Sequence, residues 1–123
     1  MKITVRKQVL LGFAAMAVSL ATSTAAFAVD AAAAETLARQ SGCFKCHSVA
    51  KKKDGPAYQD VAAKYKGNAD AESKLIYHIT SGEKVKFEDG HEEEHKVVKT
   101  KDEKEIKNLV DWILSLEGGT KPK

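Results

Sequence analysis

The chain has 123 residues, two cysteines and 20 Lys and Arg against 17 Asp and Glu, enough for one small domain with a thin core. The whole basic excess is Lys2, Arg6 and Lys7, and from residue 29 onward the two signs balance. Charge therefore offers no argument for nucleic-acid binding.

Those three cations open the chain. An apolar run from Val9 to Leu20 and the small-x-small triplet Ala26-Phe27-Ala28 follow. This is the pattern of a secretory signal peptide cleaved after Ala28, and the run is too short for a membrane span. The expected organisation is a leader over 1–28 and one exported domain over 29–123, with no membrane span once the leader is removed.

The rest reads as helices separated by turn signals. Asp30 is placed to cap a first helix with an Ala-rich start. Gly42 follows it, where the lack of a side chain suits a helix stop or a close approach by another group. Next stands Cys43-Phe44-Lys45-Cys46-His47, a C-x-x-C-H run, the attachment signal for c-type haem. Two thiols one helical turn apart add to the two vinyl groups on a haem edge, and His47 can then give the iron an imidazole nitrogen. Other uses of the pair fit less well. A dithiol redox pair needs a βαβ surround that the pattern lacks. Structural zinc needs two further ligands, and no other cysteine exists in the chain. A disulfide here would close too small a loop to stabilise much. Export agrees with haem, which is joined to such cysteines outside the cytoplasm. A covalent, mostly apolar haem would also add the buried surface that so small a domain lacks.

Ser48 to Pro56 is a polar loop carrying Lys51, Lys52 and Lys53 and punctuated by Gly55-Pro56. A second helix is predicted over about Ala57 to Lys66, with Ala57, Tyr58, Val61, Ala62 and Tyr65 on one face, ended by Gly67-Asn68. A third runs from Asp70 as N-cap to Ser81, burying Ala71, Leu75, Ile76 and Ile79, and stops at Gly82. Glu83 to Lys101 is long and charged, with no strand-like alternation. The last helix begins near Asp102, with Glu105 completing a capping-box variant. Ile106, Leu109, Val110, Ile113 and Leu114 form its stripe, widened by Trp112 and Leu116. Gly118-Gly119 ends it, and the tail beyond is expected to fray.

Gly42 with the C-x-x-C-H run, Asp54-Gly55-Pro56-Ala57-Tyr58, Val61-Ala62-Ala63-Lys64-Tyr65 and Leu109-Val110-Asp111-Trp112-Ile113-Leu114-Ser115-Leu116 together resemble a class I c-type cytochrome of the short soluble bacterial kind. The resemblance covers nearly all of the chain after residue 28. It implies an all-α fold of about four helices around one covalent haem c, with the N- and C-terminal helices crossed at the haem. It implies that His47 is the proximal iron ligand, that the Pro56 carbonyl accepts the other ring N–H of His47, and that His78 matches a position that often reaches a haem propionate. The implied role is a periplasmic electron carrier, not an enzyme, working with other periplasmic redox proteins as a monomer or as the haem subunit of an oxidoreductase. Lys45 and Lys51 to Lys53 would then steer acidic partners.

The chain departs from this family at the sixth iron ligand, usually a methionine in the loop before the last helix. The only methionines are Met1 and Met16, both in the leader, and the loop reads Gly90-His91-Glu92-Glu93-Glu94-His95-Lys96. Counting back from Leu109 puts His95 or Lys96 at the methionine position, and counting forward from Gly82 puts it nearer His91. Neutral imidazole ligates iron readily, while a lysine must first lose its proton. The order of candidates is His95, His91, an open or water-bound iron, then Lys96. An open position would instead suit a binder or sensor of small gases. The same residues match H-E-x-x-H, the zinc-protease signature, which needs a helix, a third ligand and a substrate cleft that a domain this small lacks. Weak metal binding by His91, His95 and the acids is a further alternative.

Overall fold

The structure, a computed structural model, describes residues 28–116. The leader, the Gly118-Gly119 stop and the tail lie outside the described residues. Four helices make up nearly half of it: α1 (Ala31–Gln40), α2 (Tyr58–Tyr65), α3 (Ala71–Ser81) and α4 (Glu103–Ser115), with a short 3₁₀ turn over Cys43–Lys45. Among the described residues no helix is long and apolar enough to cross a membrane.

Helix α4 is the hub, packing on α1, α2 and α3. Its stripe buries Ile106, Leu109, Val110, Trp112 and Ile113, each worth roughly 1.5–3 kcal/mol when fully removed from water. The face of α1 that meets it is small, Ala34 and Ala38, both buried. Polar groups fix the crossing. The Asp30 N–H donates to Asn108 Oδ1 at 2.8 Å, and Asn108 Nδ2 donates to the Asp30 carbonyl at 2.9 Å. Lys107 bridges α4 to α3 through Glu72 and pairs with Asp111 on its own helix, each at 2.8 Å.

The predicted caps hold in part. The carboxylates of Asp30 and Asp102 accept from Ala33 N–H and Lys104 N–H. Asp70, expected to cap α3, accepts no such bond. Its own N–H instead donates to Asn68 Oδ1 at 2.9 Å. Glu105 does not close a capping box with Asp102 directly. Thr100 stands between them, donating to Glu105 Oε2 and accepting from the Asp102 N–H.

The charged segment after α3 corrects the expectation of no strand. Lys84–Lys86 (β1) and Glu92–Glu94 (β2) pair antiparallel, with Lys84 opposite Glu94 and Lys86 opposite Glu92, the charge arrangement that favours cross-strand pairs. The turn is closed by Phe87 N–H to the His91 carbonyl and Gly90 N–H to the Phe87 carbonyl. Gly90 holds φ at 92°, as a tight hairpin requires. Opposite charge runs and the Asp89-Gly90 turn specify this hairpin, and apolar alternation, the usual strand signal, is reduced to Val85 and Phe87.

Candidate functional site

The C-x-x-C-H run folds as one tight turn. Gly42 enters it at φ 74°, and the N–H groups of Cys46 and His47 both donate to the Cys43 carbonyl, at 3.2 and 3.0 Å. This brings both free thiols and the His47 ring onto the wall of one cavity. The Nδ1–H of His47 donates to the Pro56 carbonyl at 2.7 Å, which selects the tautomer and leaves Nε2 as the available lone pair. Gly55 backs the ring so closely that a Cβ there would lie 2.5 Å from His47 Cε1. Tyr58 stacks on the same imidazole, centroids 5.2 Å apart. Burial lowers the His47 pKa against the opposing pull of the Pro56 carbonyl, so the ring is neutral, the ligating form. Burial also pushes the Cys43 thiol and the Tyr58 hydroxyl upward, so both keep their protons.

The cavity measures about 910 Å³, in the range of cofactor sites. Val61 and Tyr65 of α2, Leu75 of α3 and Leu109 and Ile113 of α4 give it apolar walls, and Val85 and Phe87 of the hairpin close one side.

His95 enters from that side. Its ring centroid lies 6.1 Å from that of His47. Two imidazoles clasping one metal from opposite sides, each nitrogen about 2 Å from it, stand roughly 6 Å apart between centroids. The Nδ1 of His95 is buried and makes no hydrogen bond, a cost that a native structure normally relieves with a ligand or water. Burial, reinforced by the nearby His78 and His47, drops the His95 pKa to about 4, so this imidazole is neutral as well. The free thiols, the oriented His47, the apolar walls and the orphaned nitrogen all suit a covalently attached haem.

The other candidates are placed differently. His78 lines the cavity from α3, but its centroid lies only 4.0 Å from that of His95, too close for the two to clasp one metal, and its Nδ1 is hydrogen-bonded to Glu83 at 2.5 Å. His91 is not brought to the cavity. It is exposed beyond β1, stacked on Phe87 at 4.3 Å and hydrogen-bonded to Asp89, which raises its pKa. Between His91 and His95 the chain is β2, so the H-E-x-x-H residues do not share a helix face. Residues four apart on a strand are about 13 Å apart along it. Lys96 also lines the cavity, its Cδ 3.5 Å from where a Gly42 Cβ would be. Lys52 is ion-paired with Glu88 at the hairpin tip, and Lys53 donates to the Phe44 carbonyl at 2.5 Å. Two of the lysines expected to steer partners thus hold loops together.

Nothing in the sequence by itself points to Glu83 or to the contact made by Gly55. Gly55-Pro56 was legible as a turn, but the His47 ring against it is a tertiary contact. Glu83 follows the Gly82 helix stop and carries no motif of its own.

Residues 31–117 match the family described as Cytochrome c. The chain is 65% identical to the Class 1 cytochrome MtoD of Sideroxydans lithotrophicus ES-1. That likeness covers 74% of this chain and 100% of the other, with a TM-score of 0.71. It is 32% identical to the cytochrome c552 of Nitrosomonas europaea, over 68% of this chain and 99% of that one, with a TM-score of 0.53. It is 42% identical over 80 residues to cytochrome c-551 of Allochromatium vinosum, covering 65% of this chain and 82% of the relative.

Proposed function

This chain belongs to the cytochrome c family, and from that premise we propose a periplasmic electron carrier whose iron is held by His47 on one side and His95 on the other. Electron transfer through one covalently bound haem c follows from the family, and the protein is a carrier and not an enzyme. The further assignments are a leader over 1–28, a haem domain over 29–123, thioether attachment at Cys43 and Cys46, and periplasmic redox proteins as partners.

The haem supplies a one-electron ferric/ferrous couple. The chain's part is to hold that couple still and dry. Pro56 and Gly55 set the plane of His47, and the walls from α2, α3 and α4 exclude water from the ring. His78 can offer Nε2 to a propionate while Glu83 holds its Nδ1. Imidazole is a stronger donor than a thioether, so a second histidine favours ferric iron and lowers the potential relative to Met/His members.

The observation that carries the sixth-ligand assignment is the 6.1 Å separation of the His47 and His95 rings, with the buried, unpartnered Nδ1 of His95 beside it. The ferric holoprotein should be low-spin, with two nitrogen ligands by electron paramagnetic resonance. His95→Ala should give a high-spin or ligand-exchanged spectrum, and His91→Ala should leave the spectrum nearly intact. The reverse pair of results moves the ligand to His91. A parent protein already high-spin at neutral pH removes both and favours an open iron that binds small ligands.

A further inference from the structure

We propose that Ser41 is a positioning residue for the sixth ligand, tying the strap that carries His95 to the segment that carries Cys43, Cys46 and His47. The inference rests on His95 as the ligand. Among the described residues Ser41 is the only buried polar one, 4% exposed. It ends α1 two positions before Cys43. Its Oγ accepts the N–H of Lys99 at 3.0 Å, across 58 residues of sequence. The strap from His95 to Lys99 has two other hydrogen-bonded anchors, both made to backbone near the end of α3. His95 N–H donates to the Glu83 carbonyl and Val98 N–H to the Ile79 carbonyl, each at 2.9 Å. Only the Ser41 bond reaches the attachment segment, and it is the only one of the three made by a side chain. Beside it the Lys96 side chain packs near Gly42, its Cδ 3.5 Å from the Cβ position there. The strap is thus tied to both sides of the cavity, and lifting it would carry His95 away from His47.

Loss of one such hydrogen bond shifts an opening equilibrium by about fivefold. The test uses the ferric holoprotein and cyanide, which enters only after the sixth ligand departs. At cyanide well below saturation the entry rate, taken relative to that of the open His95→Ala protein, reports the opening equilibrium of the strap. Ser41→Ala should raise that rate about fivefold, and Ser41→Thr, which keeps the hydroxyl, should restore it toward the parent value. A Ser41→Ala rate within twofold of the parent, with a lowered Tm, would make Ser41 a purely structural cap and overturn the proposal. If Ser41→Ala yields no holoprotein, hydrogen exchange on the parent decides. The Lys99, Val98 and His95 amides should open together with the free energy that cyanide entry reports, and independent exchange of Lys99 would overturn the proposal. An unchanged low-spin spectrum in His95→Ala would instead refute the ligand assignment, and the exchange result would still be readable by itself.

Discussion

A methyl group at Gly55 would sit 2.5 Å from Cε1 and 2.8 Å from Nδ1 of His47, far inside the roughly 3.5 Å at which such atoms rest. Both neighbours are held, the glycine by its hydrogen bond to the Cys46 carbonyl and the ring by the Pro56 carbonyl. Gly55→Ala should therefore tilt or expel the imidazole, read as a loss of holoprotein or a shifted ferric spectrum. His95 answers to pH. Its pKa falls from an ordinary 6.5 to about 4 on folding, by burial first and then by His78 and His47. The folded chain then binds fewer protons than the unfolded one. This contribution to stability is whole above pH 6.5 and erodes as the pH falls through 6.5 toward 4. Iron competes with the proton for the same imidazole and carries the transition lower. An acid titration of the ferric spectrum should keep low-spin haem to at least about pH 4, with conversion to high-spin haem only at lower pH. A midpoint above pH 6.5 would contradict the assignment.

Elements differ in how openly the sequence announces them. Helix α4 buries the stripe read from its periodicity, and α1 begins at the capping aspartate expected of it. The hairpin is hidden in the sequence, because its strands read Lys-Val-Lys and Glu-Glu-Glu and carry one apolar residue, Val85, between them. Its surviving signal is Asp89-Gly90 between opposite charge runs, a turn that needs one residue at positive φ. Nothing lies within 4 Å of a Cβ at Gly90, yet its φ is 92°, so Gly90→Ala is strained by backbone geometry alone, by about 1–3 kcal/mol. Hydrogen exchange should show lost protection at Phe87 and Gly90, whose amides close the turn, with the α4 amides unchanged. Because β2 runs straight into His95, faster cyanide entry should accompany that loss.

For the whole molecule, the cavity is as much a part of the core as the side chains. Leu109, among the most buried residues of the described chain, also lines the cavity, as do Leu75 and Ile113. An empty apolar space of that size forfeits dispersion contacts along every wall, and a domain of this length has little stability in reserve. Cys43→Ala together with Cys46→Ala should therefore prevent stable protein from accumulating. Any residual product should show reduced helical circular dichroism, whereas a double variant with full native helicity and cooperative melting would show that the core stands without its haem.

The local chemistry was legible because it is written in contiguous residues. The C-x-x-C-H spacing, the Gly-Pro turn and the period of α4 each follow from bonds and angles a few positions long. The same locality made His91 and His95 look alike, two histidines in one acidic loop. The fold separates them. A turn at Gly90 and three residues of strand leave His91 at the surface beside Asp89. The strap's ties to Glu83, Ile79 and Ser41 bring His95 into the cavity opposite His47. Loop length counted from either flank could not choose between them, because the hairpin takes up residues that the count treated as extended chain. Which imidazole reaches the cavity depends on contacts between segments up to 58 positions apart, and only the packed chain brings those segments together.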